Sequence, residues 1–203
     1  YHQTDTIAGR KQAYLGLESP QLLAQMAERK SAMLRHRELL AERRRLVAML
    51  GAAGAHLEKG RVAKIIEKLS DAGLFNAGGV MVGSFAFACY GNMLGVKTAS
   101  ALSRTEDIDF SVARTLDVAF NRNMQEVLLD AEPELRTPVQ INPRIVPFEM
   151  VTPDGFKVEF LTTKSAASEN APVKIGRFNV YAQPLDFMDY LLADAQRAVV
   201  LHG

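Results

Sequence analysis

The sequence contains little cysteine, no tryptophan and no long apolar run. Its single cysteine, Cys89, excludes a disulfide within the chain and suits a reducing cytoplasm. The surroundings of Cys89 are apolar and no base lies near it in sequence, so we interpret it as a core residue rather than a catalytic thiol. No apolar stretch is long enough to cross a membrane and no signal-peptide pattern is present. We therefore expect a cytoplasmic protein without a membrane partner.

The sequence also has no large excess of positive or negative charge, since the formal net charge of the 203 residues is +1. A nearly neutral chain favours no class of partner through its overall field. The four histidines are scattered without the spacing of zinc ligands, which argues against a zinc site: His2, His36, His56 and His202. The length allows one sizeable core with an attached arm. We expect an N-terminal region over 1–55 and a core domain over 56–203.

The first region is predicted to be a β-hairpin followed by a long helix. Residues 1–17 alternate in polarity on both sides of Ala8-Gly9, which indicates two short strands and a turn. Ser19 and Pro20 are placed as the N-cap and first turn of a helix, and no helix breaker follows before Gly51. We call this helix the basic arm.

The basic arm is predicted to contact the phosphates of a nucleic acid. Its candidate contacts are five arginines: Arg35, Arg37, Arg43, Arg44 and Arg45. The alternative interpretation is a solvated helix face with internal ion pairs. The arm could also mediate self-association, and the sequence leaves the oligomeric state open.

The stretch from Gly78 to Phe110 organises the second region. Val80-Met81-Val82 indicates a buried strand, and Gly83-Ser84 lies at the turn from that strand into an apolar helix. A glycine here allows close approach of a phosphate, and the helix start offers unpaired N–H groups. Further on, alternation in Asp107-Ile108-Asp109-Phe110 predicts a strand with both carboxylates on one face. Two carboxylates facing a phosphate-binding turn suit magnesium-dependent phosphoryl or nucleotidyl transfer.

A second carboxylate-bearing element is predicted downstream. Ile145–Val151 and Phe156–Leu161 flank Thr-Pro-Asp-Gly, a strong turn sequence, and so predict a hairpin. Glu159 stands between apolar neighbours in its second strand. It is a candidate site residue, and a solvent-facing glutamate on an edge strand is the alternative.

The remaining elements follow from periodicity and turn residues. Helices are expected over 116–131 and 184–200, and a strand pair or edge strand over 173–182. The fold class is therefore α+β, close to α/β. We expect a mixed, twisted sheet with the carboxylates on one face and helices on the other, beside the hairpin and the long helix.

The order Gly-Ser, helix, then Asp-x-Asp on the next strand resembles the DNA polymerase β-like nucleotidyltransferase superfamily. The longer string VGSFAFACYGNMLGV…TEDIDF is similar to its bacterial GSLxTF-type branch. The resemblance covers about residues 48–192, and it implies a nucleotidyltransferase-type fold.

The resemblance also implies a two-metal site. Asp107 and Asp109 would hold Mg²⁺ or Mn²⁺ with the nucleoside triphosphate, ATP among the candidates. Glu159 takes the place of the third carboxylate, where the family often has aspartate. The triphosphate would be bound by Gly83 and Ser84, with three loop cations as further candidates: Lys97, Arg104 and Lys164.

The acceptor of the nucleotide does not follow from these residues. Members of the superfamily modify RNA ends, small molecules or proteins, and the basic arm favours RNA or tRNA. The main alternative is a catalytically inactive binding or interaction module. A metal-dependent phosphatase or nuclease would also need clustered carboxylates, but the Gly-Ser turn fits it less well.

Overall fold

The structure is a computed structural model that divides into two compact units, Tyr1–Ala48 and Met49–Gly203. Each unit is considered by itself. The structure describes residues 2–6, 9–14, 16–97, 106–114, 123–139, 146–165, 171–176 and 178–202.

The first unit contains the predicted hairpin and most of the long helix. Strands β1 (His2–Thr6) and β2 (Gly9–Ala13) are antiparallel, with Thr6 opposite Gly9. Helix α1 then runs without a break over Pro20–Ala52. The amide of Leu22 donates to Ser19 Oγ (3.2 Å), which confirms Ser19 as the N-cap.

Within its described residues, the second unit contains four further helices and a six-stranded mixed sheet. The helices are α2 (Gly60–Asp71), α3 (Gly83–Leu94), α4 (Met124–Ala131) and α5 (Met188–Ala193). The strands are β3 (Val80–Val82), β4 (Asp107–Ser111), β5 (Glu149–Val151), β6 (Lys157–Thr163), β7 (Val173–Ile175) and β8 (Val180–Leu185).

The sheet is built around β6. Its order is β3-β4-β6-β8-β7, and β5 also pairs with β6. Strand β6 is parallel to β4 over Lys157–Leu161 and parallel to β8 from Leu161 onward, whereas β5 is antiparallel to its first three residues. Strands β3 and β7 are antiparallel to β4 and β8 respectively. The predicted mixed α+β architecture is confirmed.

Helices α2 and α4 cover one face of this sheet. The core joins their apolar residues to alternate residues of the central strands, and its members include Ile65, Leu69, Met124, Leu128, Ile108, Phe110, Val158 and Phe160. Since alternate strand residues point to opposite faces, the intervening residues of β4 and β6 lie on the other face. These are the carboxylate positions.

A charged pair fastens the β5–β6 hairpin to α2. Arg61 of α2 donates two hydrogen bonds to Asp154 in the turn, of 2.8 and 2.6 Å. Thr152 Oγ1 accepts from the amide of Phe156 (3.1 Å) and closes the turn. The first residues of β6 are thereby held in place.

Three expectations need correction or restriction. The helix predicted over 184–200 is confirmed only as the short α5: Pro184 and Leu185 end β8, Phe187 adopts a left-handed conformation (φ 63°), and the helix ends at Ala193. Strand β5 begins at Glu149, so residues 146–148 of the predicted strand are not part of it, and residue 145 lies outside the described residues. Within the predicted helix 116–131, residues 116–122 lie outside the described part of the chain.

No helix in the described part of the chain is both long enough and apolar enough to cross a membrane.

Candidate active site

The predicted turn between β3 and α3 is present and begins with a glycine in a left-handed conformation. Gly83 has φ 72°, a conformation that side chains of L-residues rarely adopt, and it is the first residue of α3. Val82, the N-cap, is extended and provides no side-chain cap. The first N–H groups of α3 therefore receive no capping side chain, and Ser84 is half-buried beside them.

Gly83 lies directly against Asp109. A Cβ atom built at Gly83 would collide with Asp109 Oδ2. The contact follows from the antiparallel pairing of β3 with β4, which places Val82 opposite Asp109. The two parts of the predicted Gly-Ser and Asp-x-Asp motif are thus brought together.

Glu159 stands in the position next to Asp109 on the neighbouring strand. The parallel register of β4 and β6 pairs Asp109 with Glu159 and Asp107 with Lys157. Residues paired in this way share a face of the sheet, so all four side chains lie on the face opposite the core. Asp109 and Glu159 are half-buried, while Asp107 is exposed.

Glu149 is a fourth carboxylate that the sequence analysis missed. Strand β5 pairs Glu149 directly with Glu159, and Lys157 Nζ lies 3.4 Å from Glu149 Oε2. The signal was available, because Glu149 is a lone charge between Phe148 and Met150. Counting outward from the predicted four-residue Thr-Pro-Asp-Gly turn would have placed it opposite Val158, because the loop in the structure closes between Thr152 and Phe156 and is one residue longer.

Crowding changes the acidity of two of these groups. Burial raises the pKa of Asp109, and the charge of Asp107 raises it further. Burial is also the largest cause of the raised pKa of Glu159, which reaches about 7. The hydrogen bond to Glu149 and the charges of Asp109 and Glu149 add to this increase, and Lys157 opposes it. The site therefore disfavours negative charge when no cation neutralises it.

Two of the predicted phosphate-binding cations, Lys97 and Lys164, lie away from this site. The side chain of Lys97 lies against Gly54. Lys164 follows the far end of β6, where its Nζ lies 3.1 Å from Asp186 Oδ2. Arg104 lies outside the described residues. Lys157, which the sequence analysis did not select, occupies the position beside Asp107.

The donor chemistry of the face fits a hard divalent cation. Carboxylate oxygens are the ligands that Mg²⁺ prefers, and the raised pKa values show that added positive charge would be favourable. Within the described residues, however, no three His, Cys, Asp or Glu side chains are grouped closely enough to hold a metal ion.

Comparison with known proteins identifies the family. A family model described as "Nucleotidyltransferase" matches residues 60–203, which include every carboxylate of the site and the Gly83-Ser84 turn. The chain belongs to this nucleotidyltransferase family. No curated protein and no solved structure matches the chain.

Membership confirms the predicted nucleotidyltransferase resemblance, while the GSLxTF-type branch stays a prediction. The matched range of this nucleotidyltransferase begins at the first residue of α2 and extends through the whole sheet. It leaves out α1 and the N-terminal hairpin. The match supports a general nucleotidyl transfer function and a role as a transferase.

Proposed function

We propose that the protein transfers a nucleoside monophosphate from a nucleoside triphosphate to a hydroxyl acceptor, with Mg²⁺ or Mn²⁺ as the metal. The observation that carries the proposal is the position of Asp109. Asp109 contacts Gly83 in the proposed phosphate-binding turn after β3, and it is paired with Glu159 on β6. A metal-bound triphosphate needs carboxylates and phosphate-binding N–H groups at this proximity.

The carboxylate face would hold the metal. Asp107, Asp109 and Glu159 are the proposed ligands. Glu149 is paired with Glu159 on the adjacent strand β5 and forms an ion pair with Lys157. When bound, the metal supplies charge neutralisation and lowers the pKa of the attacking hydroxyl. The pairing of β4 with β6 would hold the oxygen ligands in fixed positions.

The Gly83-Ser84 turn would hold the triphosphate. Amide N–H groups at the start of α3 and the hydroxyl of Ser84 can donate hydrogen bonds to phosphate oxygens, and the dipole of the helix favours their negative charge. In the reaction the acceptor oxygen bonds to the α-phosphorus and pyrophosphate leaves. Donors fixed by the backbone would stabilise the charge that develops on the leaving group.

RNA, including tRNA, is the acceptor class that we place first because of the charge of α1. A cytoplasmic location is part of the proposal, since Cys89, the single cysteine, is free and buried.

The alternative is a catalytically inactive nucleotidyltransferase-like module that binds a partner without turnover. The observation in its favour is that no metal-binding group of three is assembled among the described residues. Nucleotide binding without transfer would distinguish this alternative from the enzyme.

The test is transfer of label from each α-labelled nucleoside triphosphate to total RNA, with Mg²⁺ or Mn²⁺. We expect the double variant Asp107→Asn/Asp109→Asn to lose about 1000-fold or more of the activity, which corresponds to about 4 kcal/mol of transition-state stabilisation. The matched control is Asp71→Asn/Asp189→Asn, which removes two exposed carboxylates outside the sheet. Equal activity of the Asp107/Asp109 variant and the parent would overturn the assignment.

A second measurement separates enzyme from inactive module. A nucleotide that binds the folded site raises the melting temperature in proportion to its occupancy. We expect this increase to require the metal and to disappear in the Asp107/Asp109 variant. An increase without any label transfer would favour the inactive module.

A further inference from the structure

Helix α1 has no buried residue, and most of its residues are exposed. Its 33 residues include no buried side chain, and the helix is about 50 Å long at 1.5 Å per residue. A helix in a folded protein usually buries one apolar face, and packing of that face gives most of its stability. The surface of α1 is therefore available to a partner.

The middle of α1 carries an excess of positive charge. Between residues 28 and 45 there are seven basic residues and three acidic ones, a net charge of +4. The basic residues are Arg29, Lys30, Arg35, Arg37, Arg43, Arg44 and Arg45, and the acidic residues are Glu28, Glu38 and Glu42.

Among the described residues, no basic side chain of α1 forms an ion pair. One of them, Arg35, donates a hydrogen bond to Ser31 Oγ (3.3 Å). The internal ion pairs expected in the alternative interpretation, a solvated helix face, are therefore absent among the described residues. Unpaired cations along about 24 Å of helix match the charge of a phosphate backbone.

The sequence pattern of α1 opposes a coiled-coil partner. Groups of three apolar residues alternate with groups of four polar or charged residues at a seven-residue spacing. A coiled coil needs apolar residues at two core positions, separated by three and then four residues. If Met33 and Leu40 occupy one of these positions, the other is filled either by His36 and Arg43 or by Arg37 and Arg44. Registers built on the other apolar residues likewise place charged residues in the core, so self-association through a regular seam would bury like charges.

The composition of α1 also indicates how a nucleic acid would be bound. The helix contains no Phe, Tyr or Trp, and His36 is its one aromatic side chain, so it offers no series of rings on which successive unpaired bases could stack. Arginines can instead contact phosphates, which base-paired RNA presents at regular intervals.

We propose that α1 binds the phosphate backbone of base-paired RNA through the arginines between Arg35 and Arg45. The binding follows from the exposure and the unpaired charge of the helix. The role of that RNA as nucleotide acceptor, and the preference for RNA with its 2′-hydroxyls over DNA, rest on the proposed function.

The test is fluorescence anisotropy of a labelled RNA hairpin with the whole chain over 50–200 mM KCl. If the helix makes five phosphate contacts and each contact releases about 0.7–0.9 counterions, the logarithm of the binding constant should fall with the logarithm of the salt concentration at a slope of about −3.5 to −4.5. The affinity should therefore fall about 100- to 500-fold across this range. In Arg43→Gln/Arg44→Gln/Arg45→Gln the slope should be about −1.4 to −1.8, with a loss of about 7- to 12-fold. An unchanged slope in this variant would overturn the assignment to α1.

Two control variants make the result specific. Lys59→Gln/Lys64→Gln/Arg197→Gln removes the same charge from exposed positions outside α1 and should keep the parent's slope. Arg43→Lys/Arg44→Lys/Arg45→Lys keeps the charge on α1 and should also keep most of the slope. If the first control loses as much slope as the arginine variant, net charge rather than α1 determines binding and the proposal fails.

The remaining comparisons separate this proposal from the proposed function. A DNA hairpin of the same sequence should bind more weakly, and equal binding would overturn the choice of RNA. Retained RNA binding in a parent protein without transfer activity would support the role of α1 and contradict only the proposed chemistry.

Discussion

Helix α1 and the carboxylate face both collect charges of one sign, but in opposite environments. The arginines of α1 are exposed and separated by solvent, so their mutual repulsion is weak and screened by salt. Asp109, Glu159 and Glu149 are half-buried on adjacent strands, where repulsion and desolvation raise two of their pKa values. Clustering of like charges should therefore have little effect on the free energy of unfolding in α1, whereas in the sheet it should lower that free energy measurably.

The largest effect on stability is expected at Gly83, which gives the carboxylate face its contact with the turn. Gly83→Ala forces a Cβ into a left-handed conformation and toward Asp109 Oδ2. We expect a loss of about 1–2 kcal/mol, or about 2–8 °C in melting temperature. Transfer activity should fall further than this instability explains, since Asp109 must move.

Gly60→Ala is the matched control for Gly83. Gly60 is also the first residue of a helix and has a left-handed φ of 63°, but no atom lies within 4 Å of a Cβ built there. Thermal unfolding should show a smaller loss than in Gly83→Ala, about 1 kcal/mol, from the backbone conformation alone. A loss at Gly60 equal to that at Gly83 would mean that the contact with Asp109 has no special role.

A smaller effect of opposite sign is expected at Glu159. Its pKa in the folded chain is raised from 4.5 to about 7, so folding disfavours its charged form. The resulting cost is complete above about pH 7 and disappears as the pH falls toward 4.5. Because the side chain is partly exposed, we expect Glu159→Gln to stabilise the metal-free protein by only about 1 kcal/mol at neutral pH, or about 2–4 °C.

Melting curves of parent and Glu159→Gln across pH 4–8 check this prediction. The difference in melting temperature should grow with pH and should shrink when Mg²⁺ and nucleotide are added. A variant that is less stable than the parent at pH 8 would contradict the assignment of repulsion to this face.

The smallest effect is expected in α1. Arg43→Gln/Arg44→Gln/Arg45→Gln removes three exposed cations without ion pairs, and Gln has nearly the same helix propensity as Arg. Thermal unfolding should change by less than about 0.5 kcal/mol. A change above 1 kcal/mol would show that these arginines have structural partners, and the contrast between the two regions would then fail.

The parts of the site that depend on local pattern could be predicted from the sequence. Alternation placed Asp107, Asp109 and Glu159 on strands, and glycine chemistry placed the turn at Gly83. Their proximity depends on the pairing of β4 with β6 across about 50 residues of sequence, which local pattern does not encode. Only the family resemblance supplied it before the structure.

The errors have similar causes. Apolar periodicity after Pro184 predicted a helix, but that proline and Leu185 pair with β6, so tertiary pairing overrode a local preference. Lys97 and Lys164 were chosen for their place in loops, and long flexible side chains can reach other partners. Glu149 was missed because its register depends on a loop that closes between Thr152 and Phe156, one residue longer than the predicted four-residue turn.

The long separation between β4 and β6 also has a consequence for folding kinetics. Asp109 and Glu159 approach each other only when strands about 50 residues apart have paired, a step that proteins with non-local contacts complete slowly. The repulsion between the carboxylates therefore destabilises mainly the native state and has little effect before β4 and β6 have paired. Relieving it, by substitution or by a bound cation, should slow unfolding while leaving the rate of folding nearly unchanged.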